Sequence, residues 1–400
     1  MAEIYADKQV ETNKRTLMTG SLAHFIQDGF TDMLYVFFPV WQAEFSLTFS
    51  QIGFLKTLFS GTMAGFQVPA SSFAVRIGAY KLLLIGIVLT SVAVTLLGYA
   101  ATPIVLGFFL IIGGLGASVQ HPISSSLISN AYPDVNARRT ALSTFNVAGD
   151  IGKLILPGTA AFLMVQYSWM TVSHMLGVVG IGVAILIFFN QQESKQAEQS
   201  TENKQDKAKM SSLKWKGYEA FWSLSTIGVI DSGTRMGFLT FLPFLLQDKG
   251  ADMATIGLVL SLIFAGGAVG KFVCGILATK IGVLRSVIAT ELMTTLCIFG
   301  MIMFPLHTAV LVSPLIGIAL NGTSSVLYGS VPELVSEEQR QKAFAIFYTL
   351  TIGSGAISPS IYGVVSDGVG IQNAVVIVAL VVLFTIPLTV PLRKRLMFRG

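Results

Sequence analysis

The amino-acid sequence predicts an all-α membrane protein with twelve transmembrane helices in two pseudo-symmetric six-helix bundles. Three observations carry that prediction: a composition too apolar for a water-soluble core, twelve apolar stretches of spanning length, and an internal repeat. Of the 400 residues, 53% are hydrophobic and 12% charged, against the ~25% charged residues of a typical soluble domain. The surplus apolar surface must face lipid. The net charge of +5 is unevenly placed along the chain, and no nucleic-acid partner is expected. Cys274 and Cys297 lie inside apolar runs without a CxxC or a neighbouring histidine. They read as inert buried thiols.

A spanning helix needs ~20 mainly apolar residues. In the first half such stretches cover 17–41, 51–74, 82–100, 103–129, 138–166 and 169–189. In the second they cover 218–246, 254–278, 284–305, 308–332, 340–366 and 371–392. Residues 1–15 are polar and have no early apolar core, so the first stretch is expected to be retained as a membrane helix. Residues 190–217 are rich in Gln, Glu, Lys and Ser, which cannot bury enough surface to offset ordering entropy. The expected organisation is an N-terminal six-helix bundle over 1–189, a cytoplasmic linker over 190–217 and a C-terminal six-helix bundle over 218–400.

Lys and Arg accumulate on the cytoplasmic side of membrane helices. With the N-terminus inside, the outer loops hold only Lys249, and Lys56, Lys153, Arg235 and Lys271 lie within spans. The remaining basic residues all fall on the inner side. Both termini are therefore expected in the cytoplasm, in a multi-pass protein of the inner membrane.

The halves correspond at an offset of 204 residues: Gly29, Phe37, Pro39, Arg76, Gly78 and Lys81 match Gly233, Phe241, Pro243, Lys280, Gly282 and Arg285. Near the fifth helix the offset becomes 202, where Phe145 and Pro157 match Phe347 and Pro359. Duplicated six-helix halves with a substrate site near the midplane are a known transporter plan.

The loop Gly275-Ile-Leu-Ala-Thr279-Lys280-Ile-Gly282-Val-Leu-Arg285, and its weaker counterpart Ser71 to Lys81 with Arg76 and Gly78, resemble the second-to-third-helix loop of the major facilitator superfamily. The resemblance implies the major facilitator fold and a conformational role for Arg76, Gly78, Lys280 and Gly282. The acidic position of that loop is Val75 in one half and Thr279 in the other, so its charge latch is not carried over. His121-Pro122, and Phe145-Asn-Val-Ala-Gly149-Asp-Ile-Gly152 with Pro157, more weakly resemble fosmidomycin-resistance-type exporters. That implies proton-driven drug efflux.

Charges inside a membrane are costly and mark sites. His24, Asp28 and Asp32 share one helical face at a spacing of four, and the crowded carboxylates are candidate proton carriers. The alternative is permanent ion pairing with bases of the bundle. Asp150 and Lys153 are three apart and can pair within the fifth helix beside Asn146. Asp231 and Arg235 occupy the seventh helix, and a planar guanidinium suits a carboxylate, phosphate or phosphonate. His121 suits a proton relay. The expected proton-coupling set is Asp28, Asp32, Asp150, Asp231 and His121. The expected substrate contacts are His24, Tyr35, Asn146, Lys153, Arg235, Lys271 and Tyr348. Lys56 is expected to snorkel outward, and Glu291 to be structural. A metal on His24, Asp28 and Asp32 is disfavoured by the nearby bases.

No Walker sequence, zinc signature or triad spacing appears, so neither an enzyme nor a cofactor is expected. The function expected is secondary active transport by alternating access: proton-coupled efflux of a small organic compound, anions included, by a monomer in the lipid bilayer. The alternatives are uptake of an organic anion or metal chelate, and a non-transporting membrane sensor.

Overall fold

The computed structural model describes residues 2–191, 219–336 and 339–396, and side chains from residue 9 except at 71, 191, 341 and 394–396. The predicted linker 190–217 lies, but for its first two residues, outside them. Lipid offers no hydrogen bonds, so each spanning segment must satisfy its own backbone. Helices follow one another throughout, and no strand occurs among the described residues.

They are α1 Ala2–Phe45, α2 Phe49–Ile77, α3 Ala79–Leu97, α4 Pro103–Ala117, α5 Gln120–Ala131, α6 Val135–Met164 and α7 Trp169–Gln191. Then come α8 Glu219–Asp248, α9 Met253–Ile281, α10 Val283–Met303, α11 Leu306–Ser330, α12 Arg340–Val369, α13 Ile371–Leu383, α14 Thr385–Leu388 and α15 Val390–Leu396. Among the described residues, ten segments are long and apolar enough to cross a membrane, counting α4 with α5 and α13 to α15 as one each. The long helices α1 and α2 bring the total to the twelve expected. They fall outside that apolar set, α1 carrying His24, Gln27, Asp28 and Asp32 along its length.

Two predicted helices are interrupted. The stretch read as 103–129 breaks between α4 and α5 at Ser118 and Val119. Pro122 explains the break, because it has no N–H for the carbonyl of Ser118 four residues earlier. The stretch read as 371–392 divides into α13, α14 and α15. Pro387 and Pro391 remove the matching donors there.

The chain clusters into two compact units, Met1–Leu34 with Leu58–Ser211, and Tyr35–Thr57 with Ser212–Gly400. This differs from a cut at 190–217 in the placement of residues 35–57. Their hydrogen bonds explain it. Asp367 of α12 accepts the backbone N–H groups of Phe49 at 2.7 Å and Ser50 at 3.0 Å, capping α2. Thr57 donates to the Ala356 carbonyl at 2.8 Å and accepts from Ser360 at 2.8 Å. Lys56 belongs to the same unit and does not snorkel: it is 1% exposed, with its ammonium 4.4 Å from the centre of the Tyr35 ring. Cation–π attraction in a desolvated pocket replaces water for that charge.

Within the first unit, α3 packs against α4 and α7. The Thr90 hydroxyl bridges α3 to the Gly113 carbonyl of α4 at 3.2 Å. Within the second, α9 packs on α11, α12 on α8, and α10 on α11 and α13. Phe221, Leu224, Val287, Phe347 and Leu392 form part of its core. The repeat is visible in the backbone of each unit taken alone. Gly78 before α3 has φ 91° and Gly282 before α10 has φ 86°, the left-handed region that only glycine enters without strain.

Candidate functional site

Asp28 is the centre of a buried cluster in the first unit, itself 6% exposed. Its Oδ2 lies 3.0 Å from His24 Nε2 and 3.1 Å from Lys153 Nζ, and its Oδ1 lies 3.2 Å from His121 Nε2. Lys153 also reaches Asp32 Oδ2 at 3.9 Å. Three helices supply these groups. On α1 the spacing of four sets His24, Asp28 and Asp32 on one face. The break before α5 places His121 at the first turn of a new helix. Lys153 comes from α6.

Close approach of α6 to α1 makes the meeting possible. A side chain on Gly152 would overlap the Phe25 carbonyl, and one on Gly149 would overlap the His24 ring. Small residues let membrane helices touch in this way. Gly152→Ala is expected to push α6 from α1, lower stability by about 1–3 kcal/mol and open the Lys153–Asp28 pair. Thermal unfolding in detergent measures the first effect and substrate flux the second.

The protons of this cluster can be partly assigned. His24 Nδ1 lies 2.8 Å from the Phe145 carbonyl oxygen. A carbonyl only accepts, so Nδ1 carries a hydrogen. Nε2 and Asp28 Oδ2 then need a hydrogen between them, either on an imidazolium or on a carboxylic acid. His24 is 4% exposed, with its ring 4.2 Å from that of Phe145. Both of its nitrogens are engaged, so it offers no free edge to a solute. Lys153 and His121 keep 33% and 35% of their side-chain surface exposed. They form the accessible side of the cluster.

His24, Asp28 and His121 present ligand atoms within 4.8 Å of one another, a donor set suited to a borderline metal. The Lys153 ammonium already holds the cation position beside Oδ2, and a metal would have to displace it. Here His121, and not Asp32, is the third donor of the set.

The other expected site residues are distributed as follows. Lys153 makes its short contacts to Asp28 and Asp32, and Asp150 acts on it electrostatically. Asn146 is exposed on α6. Tyr35 is fully buried, donating to the Met236 sulfur at 3.3 Å. Tyr348 is 41% exposed, its ring centre 5.8 Å from that of Tyr328. Lys271, Arg76, Lys280 and Gly282 are exposed and Gly78 is half-buried. Asp231 is 5% exposed in the second unit. Arg235, one turn on, donates from Nη1 to the Ser324 hydroxyl at 3.3 Å, while its buried Nε has no acceptor among the described residues. Glu291, expected to be structural, is 1% exposed with an unpartnered Oε1. The sequence signal for it is an acid in an apolar run with no base three or four residues away.

The family profile described as Major Facilitator Superfamily matches residues 20–231 and 224–396. A probable sulfoacetate transporter of Cupriavidus necator is 24% identical over 355 residues, covering 83% of this chain and 82% of that protein. The fosmidomycin resistance protein of Escherichia coli is 29% identical over 166 residues, 40% of each chain. That agrees with the weaker resemblance read from His121-Pro122 and the α6 segment. Among solved structures, a bacterial homolog of the human lysosomal transporter Spinster, inward-facing and occupied, superimposes with a TM-score of 0.79. It has 16% identity and covers 96% of this chain and 97% of that one, a likeness of fold.

Proposed function

Because the chain belongs to the Major Facilitator Superfamily, and is thus a membrane transporter of small molecules and not an enzyme, we propose that it carries a small organic anion together with a proton by alternating access. Both termini face the cytoplasm in this reading, as the basic residues indicate.

The observation that carries the reading is the sharing of Lys153. Its ammonium serves Asp28 and Asp32 at once, while a third of the side-chain surface stays exposed. A proton arriving at Asp28 neutralises the carboxylate that holds Lys153 and frees the ammonium for a solute anion. Proton and anion then favour each other's binding, which is symport. His24 delivers or holds the proton, and His121 connects the cluster to its accessible side. The sulfoacetate named for one relative bears a carboxylate and a sulfonate, the kind of group that Lys153 and Arg235 suit.

A second reading, drug efflux in exchange for protons, is favoured by the likeness to the fosmidomycin resistance protein. In that case proton and solute compete. Internal pH in proteoliposomes separates the two when sulfoacetate or fosmidomycin is added outside. Acidification with entry marks symport, and alkalinisation marks exchange. Either signal is expected to vanish in Asp28→Asn. Solute flux without proton movement in the wild type would reject coupling.

A further inference from the structure

Glu291 of α10 has no part in the cycle described so far. It is 1% exposed, and its Oε1 meets no hydrogen-bond partner among the described residues. Two charges act on it, Asp231 and Arg235, both on α8. No ion pair joins the guanidinium directly to either carboxylate. The other bases near α10 do not enter the group: Arg285 on α10, Lys271 and Lys280 on α9, and Arg393 on α15 are all exposed. From α11 come Tyr328, which acts on Arg235, and the Thr323 hydroxyl, which donates to Thr290 at 2.7 Å. The α13 backbone accepts from Thr295 through Ala379.

The charges do not balance. Two buried carboxylates face one guanidinium, and an uncompensated charge in a membrane interior is expensive. In the first unit Lys153 also stands between two acids, but there two imidazoles add donors. The second unit has no such help near Glu291.

We propose that Glu291 holds the compensating proton and is a second proton-carrying acid of the transport cycle, tied to Asp231 through the Arg235 charge that acts on both. This rests on the proton-coupled reading above. An anion bound at Arg235 takes the guanidinium from the acids and keeps the proton on Glu291. Release of the anion returns the guanidinium and frees the proton. Proton and anion therefore move in the same sense as at Lys153.

Infrared spectroscopy of the full-length protein in lipid tests this without any transport step. Near neutral pH the wild type is expected to show a buried protonated-carboxyl stretch that shifts in D2O. That band should be missing from Glu291→Gln. It should also be missing from Asp231→Asn, where a single acid faces the guanidinium and ionises. A band that only Asp28→Asn removes belongs to the first unit, whereas a protonated-carboxyl region left unchanged by either substitution overturns the proposal. So does a sodium-dependent rise in melting temperature that Glu291→Gln abolishes, because the compensating charge would then be a metal cation. The vesicle assay reports separately on proton coupling, so failure of that reading leaves the infrared result standing.

Discussion

Lys153→Ala is expected to abolish proton-driven accumulation and to destabilise the protein by about 2–3 kcal/mol. Breaking a buried pair by removing one partner costs about 3–5 kcal/mol when both charges are enclosed. Asp28 is enclosed, but Lys153 keeps 33% of its side-chain surface exposed, and water offsets part of the loss. Asp28 and Asp32 then lie close on one face without the ammonium between them. The cost comes from the stranded carboxylates, so removing one of them should return most of it. Lys153→Ala with Asp28→Asn is expected to unfold within about 1 kcal/mol of the wild type, a coupling that a double-mutant cycle reads directly. Transport is not expected to return, because the solute anion loses its ammonium in both variants. Equal melting temperatures for the single and double variants would mean that the cost does not come from a stranded Asp28 carboxylate.

The parts of this protein legible in its sequence are those fixed along one helix. The apolar stretches gave the helix count because lipid enforces length and composition. The spacing of His24, Asp28 and Asp32 gave a shared face because a helix repeats every 3.6 residues. Gly78 and Gly282 were matched by offset and have the same positive φ.

What the sequence did not give depends on how helices meet. Lys153 was read with Asp150 three residues away. It also reaches Asp28 on another helix, because Gly149 and Gly152 remove the bulk between them. His121 joins the cluster through a helix break caused by the proline that follows it, and the break was not foreseen. Lys56 was expected to find water near a helix end but found an aromatic face. Glu291 has no base three or four residues away on its own helix, so spacing alone gives it no role.

His24→Phe and His121→Phe are expected to differ widely, and the difference locates the proton. His24→Phe keeps a ring against Phe145 but removes both ring nitrogens. The Phe145 carbonyl loses its donor, and the hydrogen between His24 Nε2 and Asp28 Oδ2 loses one of the two atoms that hold it. A buried group left unsatisfied costs about 1–3 kcal/mol. If the cycle needs that hydrogen, its loss removes proton-driven accumulation by about 100-fold or more, the usual scale for losing a placed acid or base. His121 makes one contact to Asp28 and is 35% exposed, so water can take its place. His121→Phe is therefore expected to slow accumulation by less than about 10-fold, with an altered pH profile. Solute exchange at equal concentrations, which needs no net proton movement, should persist in both variants. The opposite order of effects would place the moving proton on the accessible side of Asp28, with His24 serving only to hold α1 against α6.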